Sequence, residues 1–500
     1  MIVLKVNKMR GKTIVNSKFL FLISSILLIL FLWTGCKQEE PDDPYIPPVI
    51  ADIGKAKVWL TTGDKLRLLN SESDLSIRAT RSGSFPLITI DTSITFQRIE
   101  GFGAALTGSS AYNLNQKMTP AIRQSALNSL FSAEVGISIS YVRLTIGASD
   151  FSLSDYTYDD MPTGQTDEDL SEFTLQKDKT DIIPVLKEIM AIAPELNIMG
   201  SPWSPPAWMK TNGNLKGGKL KPELYSVYSN YFVKYIQLMK EEGIPIASVT
   251  VQNEPLYFTA AYPCMEMQAN EQLVFIKNHL GPDFQENSIP TKIIVYDHNW
   301  DNTDYAISIL NDTDARKFVS GSAFHAYGGN VSAMNIVHNA HPDKDLYFTE
   351  ISGGGWATDF GDNIIWNMRN IFIGTTRNWS KVALLWNLVL DQNDGPTNNG
   401  CSDCRGVLTY NTNSDQITYN EEYYSIGHMS KFVRPGAVRI SSKFDQYLVN
   451  MDGVSFQNTD GSKVMVLCSY NSEYQTFTLK QGSKYFNYSI APKSVVSIVW

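Results

Sequence analysis

Between residues 97 and 390, short apolar runs alternate with segments of helical periodicity. Each apolar run ends in small or polar residues, which is typical of a strand that leads into a loop and then a helix. The predicted strands occupy residues 99–106, 140–147, 196–203, 246–253, 291–298, 321–328, 345–352 and 382–389. Eight strand–helix units over about 290 residues predict an α/β fold of the (β/α)8 barrel type.

A doubly wound sheet is the alternative to this barrel. That fold usually has fewer strands and a phosphate-binding G-x-G-x-x-G turn after the first one. The first predicted strand instead reads GFGAALTGSS, which does not fit that motif. The best-marked helices are 119–131, which begins with a Thr cap and a Pro, and 222–243, which ends in Lys, acids and Gly. The pattern therefore favours the barrel.

The two flanks of the barrel have a different pattern. Residues 56–95 and 435–500 are short alternating runs separated by Gly, Asn and Asp, a pattern that predicts antiparallel β structure. Residues 460–462, Asp-Gly-Ser, suit a hairpin turn. We expect the two flanks to form one β-sandwich. The predicted domain boundaries are 56–95 for the strands that join the sandwich, 96–430 for the barrel and 431–500 for the C-terminal sandwich domain.

The N-terminus has the features of a targeting segment. A basic stretch precedes about fifteen apolar residues, 19–33, which are too few for a spanning helix of ~20 residues. Thr-Gly-Cys then resembles a bacterial lipobox with Cys36 as the lipidated residue, although Trp33 is unusual there. We predict a lipoprotein signal peptide over 1–35 and a tether over 36–55; a plain signal peptide with a chance cysteine is the alternative.

One lipidated terminus would anchor the protein without a spanning segment. The acidic run just after Cys36 resembles the surface-export signals of some Gram-negative lipoproteins. We therefore expect an exported protein that is lipid-anchored at the outer membrane of a Gram-negative bacterium, with the cell surface and the periplasm both open as the side on which it lies.

Charge and cysteine content exclude some functions. The formal net charge is −9, and there is no basic stripe that could neutralise phosphates, which argues against a nucleic-acid partner. A neutral substrate is compatible with this charge. Cys401 and Cys404 form a single C-x-x-C without the second pair that a zinc site would need. A small loop disulfide or two free thiols are favoured over a metal site.

Two glutamates end predicted barrel strands. Glu254 closes the fourth strand and is followed by Pro255, which cannot extend the strand and is expected to hold Glu254 extended. Glu350 closes the seventh strand. Because the carboxyl ends of all eight strands surround one mouth, we expect these side chains to face each other nearly across it, near 5 Å apart.

Facing carboxylates suit the cleavage of a glycosidic bond. One group must be protonated to assist the leaving oxygen, and the other must be ionised to attack the anomeric carbon, so their environments should push their pKa values apart. Asn253, beside Glu254, would hydrogen-bond the sugar 2-hydroxyl. Taken singly, each glutamate could equally be a solvated loop acid; the pair at strand ends favours catalysis.

Aromatic residues also gather at the predicted strand ends, where they could pack on the apolar C–H faces of sugar rings. Taken singly, each Trp would more often be a core residue. The aromatic set is Trp203, Trp208, Tyr327, Trp356 and Trp386, with His325 beside Tyr327.

Several stretches together resemble glycoside hydrolase family 30, the retaining β-glycosidases that include glucosylceramidases and endo-β-1,6-glucanases. The matching stretches are FQRIEGFGAALTGSSA (96–111), YVRLTIGASDFSLSDYTYDD (141–160), GSPWSPPAWMKTNG (200–213), TVQNEPLY (250–257), FHAY (324–327), YFTEISG (347–353), LLWNLVLDQNDGP (384–396) and GHMSKFVRPGAVRI (427–440). They cover most of residues 95–440.

The resemblance implies roles for individual residues. Glu254 would be the general acid/base and Glu350 the nucleophile of a retaining mechanism, with Asp150 and Trp203 holding glucose hydroxyls. The residues implied to support the carboxylates or line the pocket are Arg143, Asn253, His325, Tyr327 and Trp386. Asn398 is a further implied contact, although its loop departs from the family pattern into TNNGCSDCRG and is expected to shape the entrance. No metal or cofactor is implied, and a monomer is expected.

The sequence SDFSLSDYTYDD (149–160) resembles the glucose-cleaving branches of the family and not its xylanases. We therefore expect endo-acting cleavage of β-1,6-glucan, with an exo-acting β-glucosidase or glucosylceramidase as the alternative. From other classes, a catalytically inactive glycan-binding lipoprotein would need neither glutamate, and a Schiff-base aldolase would need a strand-end lysine, which the eight predicted strand ends lack.

Overall fold

The computed structural model describes residues 52–500. The predicted signal peptide, the lipidation site Cys36 and the tether up to residue 51 lie outside the described residues. Within residues 52–500, no helix has both the length and the apolar character needed to cross a membrane.

Eight parallel strands close into a barrel, as the alternation of apolar runs predicts. Each strand pairs with its successor in sequence, and the eighth pairs with the first through Val382 and Gly101. The barrel strands are Gly101–Leu106, Tyr141–Ile146, Asn197–Pro202, Ser248–Thr250, Lys292–Asn299, Val319–His325, Asp345–Glu350 and Ser380–Leu385. The carboxyl ends of all eight strands therefore open on one face of the barrel.

Helices connect these strands and pack around them. The α-helices are Gly108–Tyr112, Pro120–Phe131, Ile182–Ile192, Tyr225–Glu241, Ala269–Phe275, Gly281–Glu286, Thr303–Asn311, Thr313–Arg316, Ala333–Ala340, Phe360–Trp366, Ile373–Arg377 and Glu421–Ser430. π-Helical turns occupy Asn113–Lys117, Ile276–Leu280 and Asn367–Phe372, and 3-10 turns occupy Ala207–Met209 and Pro222–Leu224. Thr119 caps its helix as predicted, because its side chain accepts a hydrogen bond from the Ile122 N–H.

The barrel interior is a packed core. One layer inside the barrel consists of buried residues that come from six different strands: Tyr141, Met199, Ile294, Ala323, Tyr347, Val382 and Leu384. Gly103 lies where two strands approach closely, since a Cβ there would sit 1.9 Å from the carbonyl oxygen of Tyr141. This rigid core fixes the positions of the strand ends above it.

The β-sandwich combines strands from both flanks. From the N-terminal flank come Asp52–Thr62, Asn70–Ser71, Leu75–Arg78 and Leu87–Arg98, and from the C-terminal flank come Val438–Phe444, Met451–Gln457, Lys463–Ser469, Gln475–Gln481, Lys484–Ile490 and Ser494–Val499. The first and last of these strands pair antiparallel, with Lys57 opposite Val499. Gly461, with φ of 84°, provides the predicted hairpin turn.

The sandwich is fastened to the barrel by a buried histidine. His428, on the helix Glu421–Ser430, lies between two sandwich hydroxyls: its Nε2 is 2.8 Å from Thr61 Oγ1, and its Nδ1 is 2.8 Å from Ser497 Oγ. Further short strands lie in the loops above the barrel: Gly353–Gly354 with Cys404–Arg405, and Val389–Asp391 with Leu408–Asn411 and Gln416–Tyr419.

Candidate active site

Glu254 and Glu350 face each other at the mouth of the barrel. An oxygen of Glu254, an oxygen of Glu350 and a ring nitrogen of His325 all lie within 4.8 Å of one another. Retaining glycosidases hold their two carboxyl groups about 5–5.5 Å apart, whereas inverting enzymes need about 6.5–9.5 Å to seat a water molecule. The separation between Glu254 and Glu350 lies at the short end of these values, on the side of the retaining enzymes.

The backbone of Glu254 corrects one expectation. A following proline favours an extended conformation, but Glu254 has φ of 42°, in the left-handed region. Hydrogen bonds to the neighbouring strands outweigh the preference set by Pro255: the Asn253 N–H donates to Pro202 O at 2.9 Å, and the Glu254 N–H donates to Asp297 O at 3.0 Å. This uncommon backbone conformation directs the Glu254 side chain into the mouth of the barrel.

Arg143 connects the two catalytic strand ends from below. Its guanidinium is fully buried and donates from Nη1 to Glu350 at 2.5 Å. Its Nη2 donates to Asn253 Oδ1 at 2.7 Å and to Asp297 Oδ2 at 2.8 Å. The Arg143 guanidinium, which is always charged, therefore holds Glu350 in place and orients the Asn253 amide toward the same cavity.

Asp297 is a functional residue that sequence reasoning missed. It lies near the end of the fifth strand, is completely buried and accepts a hydrogen bond from Thr349 at 2.6 Å. Burial raises the pKa of a carboxyl group, but here the charge of Arg143 and the hydrogen bond from His325 outweigh it and hold the pKa of Asp297 well below its ordinary value. Asp297 is thus a buried anion that balances the two cations beneath the glutamates.

The local conformation explains why Asp297 points into the barrel. Tyr296 and Asp297 have φ of 73° and 66°, and the pairing of this strand with the sixth shifts register between Ala323 and Phe324. Such a bulge re-aims a side chain at the rim of a barrel. The available signal was an acidic residue at a predicted strand end, in the run IIVYDH.

His325 lies between Glu254 and Asp297. Its Nδ1 is 3.0 Å from Glu254 Oε1, and its Nε2 is 3.1 Å from Asp297 Oδ1. Burial disfavours a charged imidazole, but Glu350, Asp297 and Glu254 surround the ring and raise the pKa of His325 to about 9. Both ring nitrogens of the resulting imidazolium donate to carboxylates.

The two glutamates have different electrostatic environments. Burial raises the pKa of Glu254, but the hydrogen bond from His325 and its charge outweigh burial and hold that pKa below its ordinary value. For Glu350, burial prevails over the charges of His325 and Arg143, so its pKa lies above its ordinary value. Tyr327 donates a hydrogen bond from its hydroxyl to Glu350 Oε1 at 2.9 Å. In the free enzyme, therefore, the proton near Glu254 resides on His325.

Trp203 and Trp386 form the floor of the cavity. Their rings stack with centroids 5.2 Å apart, and the Arg143 guanidinium lies 5.0 Å from the Trp203 ring. Trp208, expected among the strand-end aromatics, instead belongs to the main hydrophobic core, where its Nε1 donates to Asp159 O at 3.0 Å. Trp356 lies beyond Glu350 in a separate cleft.

Asp150 and Asn398 lie on the wall of the cavity. Burial and the charges of Glu350 and Glu254 raise the pKa of Asp150 well above its ordinary value. The Asn398 N–H donates to Asp150 O at 2.7 Å, and its side-chain amide donates to Asp155 Oδ1 at 2.7 Å. The side-chain N–H2 of Asn398 therefore joins two loops, since it also donates to Ser149 O at 3.1 Å.

Cys401 and Cys404 form a disulfide in the same loop, which selects one of the two states expected from the sequence. Gly400 packs directly against Asp150, since a Cβ on Gly400 would lie 2.5 Å from the Asp150 Cβ. Cys404 is buried in a cluster with Trp203 and Trp386. The disulfide thus fixes the loop that forms one wall of the cavity.

The Glu254, His325 and Glu350 cluster also has the composition of a metal site. Its donor atoms, however, already bond to one another and to Arg143 and Tyr327. A cation placed there would sit beside a permanent guanidinium charge, so the chemistry of the donor set fits paired carboxylates and does not fit a metal ion.

A closed (β/α)8 barrel with two carboxylates at this separation defines a glycoside hydrolase. The protein-family model described as "Glycosyl hydrolase family 30 TIM-barrel domain" matches residues 99–433. The model described as "Glycosyl hydrolase family 30 beta sandwich domain" matches residues 436–498. The chain belongs to glycoside hydrolase family 30.

Individual relatives extend this comparison. The chain is 34% identical to endo-1,6-beta-D-glucanase neg1 of Aspergillus fumigatus over 78% of this chain and 82% of the relative. It is 29% identical to putative glucosylceramidase 4 of Caenorhabditis elegans over 89% of both chains. The solved structure of the endo-beta1,6-glucanase BT3312 superposes with a TM-score of 0.82 at 37% identity, covering 89% of this chain and 99% of that one.

Proposed function

We propose that the protein hydrolyses β-linked glucans with retention of anomeric configuration and cleaves within chains of β-1,6-glucan. The observation that carries this proposal is the approach of Glu254 and Glu350 to within 4.8 Å, with Glu350 the one of the two that Arg143 and Tyr327 bond. Two donors on one carboxylate orient it for attack, whereas the other carboxylate shares a proton with His325.

Glycosylation uses both glutamates. Glu350 Oε attacks the anomeric carbon while the bond to the leaving oxygen breaks, and Glu254 transfers a proton to that oxygen. The proton reaches Glu254 from Nδ1 of His325 across 3.0 Å, because a bound sugar excludes water and favours the neutral Glu254–His325 pair over the charged one. The product of this step is a glycosyl ester of Glu350 and a free hydroxyl on the departing chain.

Deglycosylation reverses the roles. Glu254, now ionised, removes a proton from water as the water oxygen attacks the anomeric carbon, and the ester bond to Glu350 breaks. Two inversions give net retention. Asn253 Oδ1 is held by Arg143, which leaves its amide N–H2 available to the sugar 2-hydroxyl, while Asp150, Trp203 and Trp386 surround the sugar ring.

The choice of β-1,6-glucan rests on relatives. The Aspergillus fumigatus protein and BT3312 are described as endo-1,6-β-glucanases, and both are more similar to this chain than the Caenorhabditis elegans protein is. That last relative favours the second candidate, exo-acting cleavage of glucosyl lipids. A polysaccharide is the better match for an exported protein.

The test is hydrolysis of a panel of β-1,6-, β-1,3- and β-1,4-glucans and a glucosyl lipid, with product analysis and NMR detection of the first-formed anomer. The proposal predicts β-anomers and ladders of β-1,6-linked oligosaccharides. Initial α-anomers would exclude retention, glucose as the sole product would establish exo action, and cleavage of the lipid alone would favour the second candidate. A total lack of turnover would favour a glycan-binding protein.

We also propose that the protein is exported as a monomer and anchored by a lipid on Cys36. The apolar run 19–33 and the Thr-Gly-Cys sequence support this proposal. In a Gram-negative host, replacing Cys36 with Ser should release the protein from the membrane fraction while purified activity is retained. Unchanged membrane association would refute anchoring at this residue.

A further inference from the structure

A second cleft opens beside the catalytic cavity, on the side of Glu350. It has a volume of about 470 Å³, within the range typical of small-ligand pockets. Three large aromatic residues on its walls are strongly exposed: Tyr327 is 48% exposed, Trp356 is 58% exposed and Trp366 is 43% exposed. Exposed aromatic groups gathered in one cleft indicate a binding surface.

The cleft adjoins the catalytic centre through one shared side chain. Tyr327 lines it and donates its hydroxyl to Glu350 at 2.9 Å, so one side chain borders both spaces. Ile351 and Ser352, which follow Glu350 directly, form part of the wall. A chain molecule bound at Glu350 need only pass over Tyr327 to reach this cleft with its next segment.

The loop that carries Trp356 is rigidly held even though the indole is exposed. Gly353 and Gly354 pair antiparallel with Arg405 and Cys404, and the Gly355 N–H donates to Asp403 O at 2.8 Å. The indole packs back on its own loop, since a Cβ on Gly354 would lie 2.1 Å from the Trp356 ring. The indole therefore lies against the backbone of its own loop, with its outer face open to solvent.

Arg405 holds the loop that carries Trp356 on both sides of the tryptophan. Its Nη1 donates to the carbonyl oxygens of Gly354 at 3.3 Å and Ala357 at 3.1 Å, on either side of Trp356. Its other nitrogens bond Glu421 and Glu422, which are both buried, so the guanidinium itself is locked. Holding a platform in its binding conformation lowers the entropic cost of association.

The polar lining matches a sugar and not a lipid tail. Asp362, Asn363 and Asn367 line the cleft together with the two tryptophans. Flat apolar rings with amide groups beside them suit pyranose residues, which present C–H faces and a belt of hydroxyls. The Asn363 side-chain N–H2 is already bonded to Ala357 O and Glu421 Oε1, so its carbonyl oxygen is the acceptor that it offers to a sugar hydroxyl, a contact that an acyl chain does not make.

We propose that the cleft lined by Trp356 and Trp366 is a second binding subsite, which holds a segment of the same β-glucan chain remote from the bond that Glu350 attacks. This inference rests on the proposed function and assigns the surface that favours polymers over single glucosides. Trp356 and Trp366 contribute to affinity for the chain and are not part of the reacting centre.

The experiment compares Trp356→Ala and Trp366→Ala with the wild type in two assays. Binding of linear β-1,6-glucan is measured by calorimetry in a Glu350→Gln background, and turnover of an aryl β-glucoside is measured in the active enzyme. Each substitution should weaken glucan binding about threefold to tenfold, as expected for the loss of one aromatic stacking contact. Aryl-glucoside turnover should be unchanged.

Controls separate the possible causes. Trp356→Phe should restore most of the binding, and Tyr447→Ala, which removes a similarly exposed ring from the sandwich, should change nothing. Equal glucan affinity in the wild type and both alanine variants would overturn the subsite, as would a parallel loss of aryl-glucoside turnover. A wild-type enzyme that cleaves the aryl glucoside and no glucan would overturn both the proposed function and the subsite.

Discussion

His325 and Glu254 share one hydrogen bond, with Nδ1 of the imidazole 3.0 Å from Oε1 of the carboxylate. Because the pKa of His325 is raised to about 9, this pair carries one proton over most of the pH range in which the enzyme would work. The proton that the leaving oxygen requires is therefore held by two residues together and not by the glutamate alone.

The first prediction concerns pH. Activity should fall on the acid side as Glu350 becomes protonated, with a pKa above its ordinary value of 4.5, because a neutral carboxyl cannot attack. It should fall on the alkaline side near pH 9, where the His325–Glu254 pair loses its proton. The pH profile of kcat/KM on a β-1,6-linked glucan oligosaccharide, whose leaving oxygen needs a proton, measures both limbs.

His325→Gln provides the matching variant. It should move the alkaline limb to lower pH, because Glu254 then holds the proton without the imidazole. His279→Gln, in the π-helical turn Ile276–Leu280 outside the barrel mouth, serves as the control and should leave the profile unchanged. An alkaline limb still near pH 9 in His325→Gln would contradict the shared proton.

The second prediction separates the two glutamates. Glu254→Gln should slow cleavage of poorly activated glucans by about 10²–10⁴-fold, the usual contribution of general acid catalysis. With an aryl glucoside whose leaving group needs no proton, the first step should be spared, and a burst of aryl alcohol should precede slow deglycosylation. Glu350→Gln should abolish turnover of both substrates.

Stopped-flow and steady-state assays on the two substrates provide the measurement. Glu223→Gln, an exposed acid in a 3-10 turn, is the control for a general effect of removing one charge. Equal and small effects of Glu254→Gln and Glu350→Gln on both substrates would refute their assignment.

The third prediction concerns Asp297. Replacing it with Asn keeps the shape but removes the buried anion that balances Arg143 and His325. Breaking a buried ion pair on one side typically costs about 3–5 kcal/mol, so the free energy of unfolding should fall by an amount of that order. The pKa of His325 should also fall, and the alkaline limb of activity should move to lower pH.

Denaturant unfolding and the pH profile test these two effects together. Asp343→Asn, at an exposed site, is the control for removing a carboxylate. A variant with wild-type stability and an unchanged alkaline limb would show that Asp297 does not hold the two cations.

The fourth prediction concerns the disulfide between Cys401 and Cys404. Its removal by double substitution to Ser should cost about 2 kcal/mol or less, because the closed loop is very short. The larger effect should be on KM, which should rise severalfold as the loop that packs Gly400 against Asp150 loosens. The turnover number should change less than KM.

A reducing agent offers an internal control. It should raise the KM of the wild type toward that of the double variant and leave the double variant unaffected. A wild-type KM that does not respond to reduction, despite confirmed loss of the disulfide, would contradict a role for the bond in shaping the cavity.

Much of this architecture follows from local pattern. The eight apolar runs predict the barrel, and strand topology then places Glu254 and Glu350 on the same face even though they are far apart in sequence. Both side chains lie at the mouth because the carboxyl ends of parallel strands converge there. Glu350 ends its strand as predicted, whereas the fourth strand ends at Thr250 and Glu254 lies in the loop that follows it.

Other features depend on tertiary contacts that local pattern does not carry. Asp297 enters the site through two left-handed residues, which no propensity at Tyr296 or Asp297 would predict. The left-handed Glu254 results from hydrogen bonds donated to the neighbouring strands and overrides the preference set by Pro255. Trp203 and Trp208 are alike in sequence context, and only packing sends one to the cavity and the other to the core.

The pairing of the strand Asp52–Thr62 with the strand Ser494–Val499 also has a bearing on biosynthesis. One edge of the first strand pairs with the nearby strands Asn70–Ser71 and Leu75–Arg78, but the ribosome releases it long before the strand that pairs with its other edge is made. Completion of the sandwich therefore requires that translation has passed residue 499, and a nascent chain halted before that residue would leave an unpaired strand edge open to chaperones and proteases.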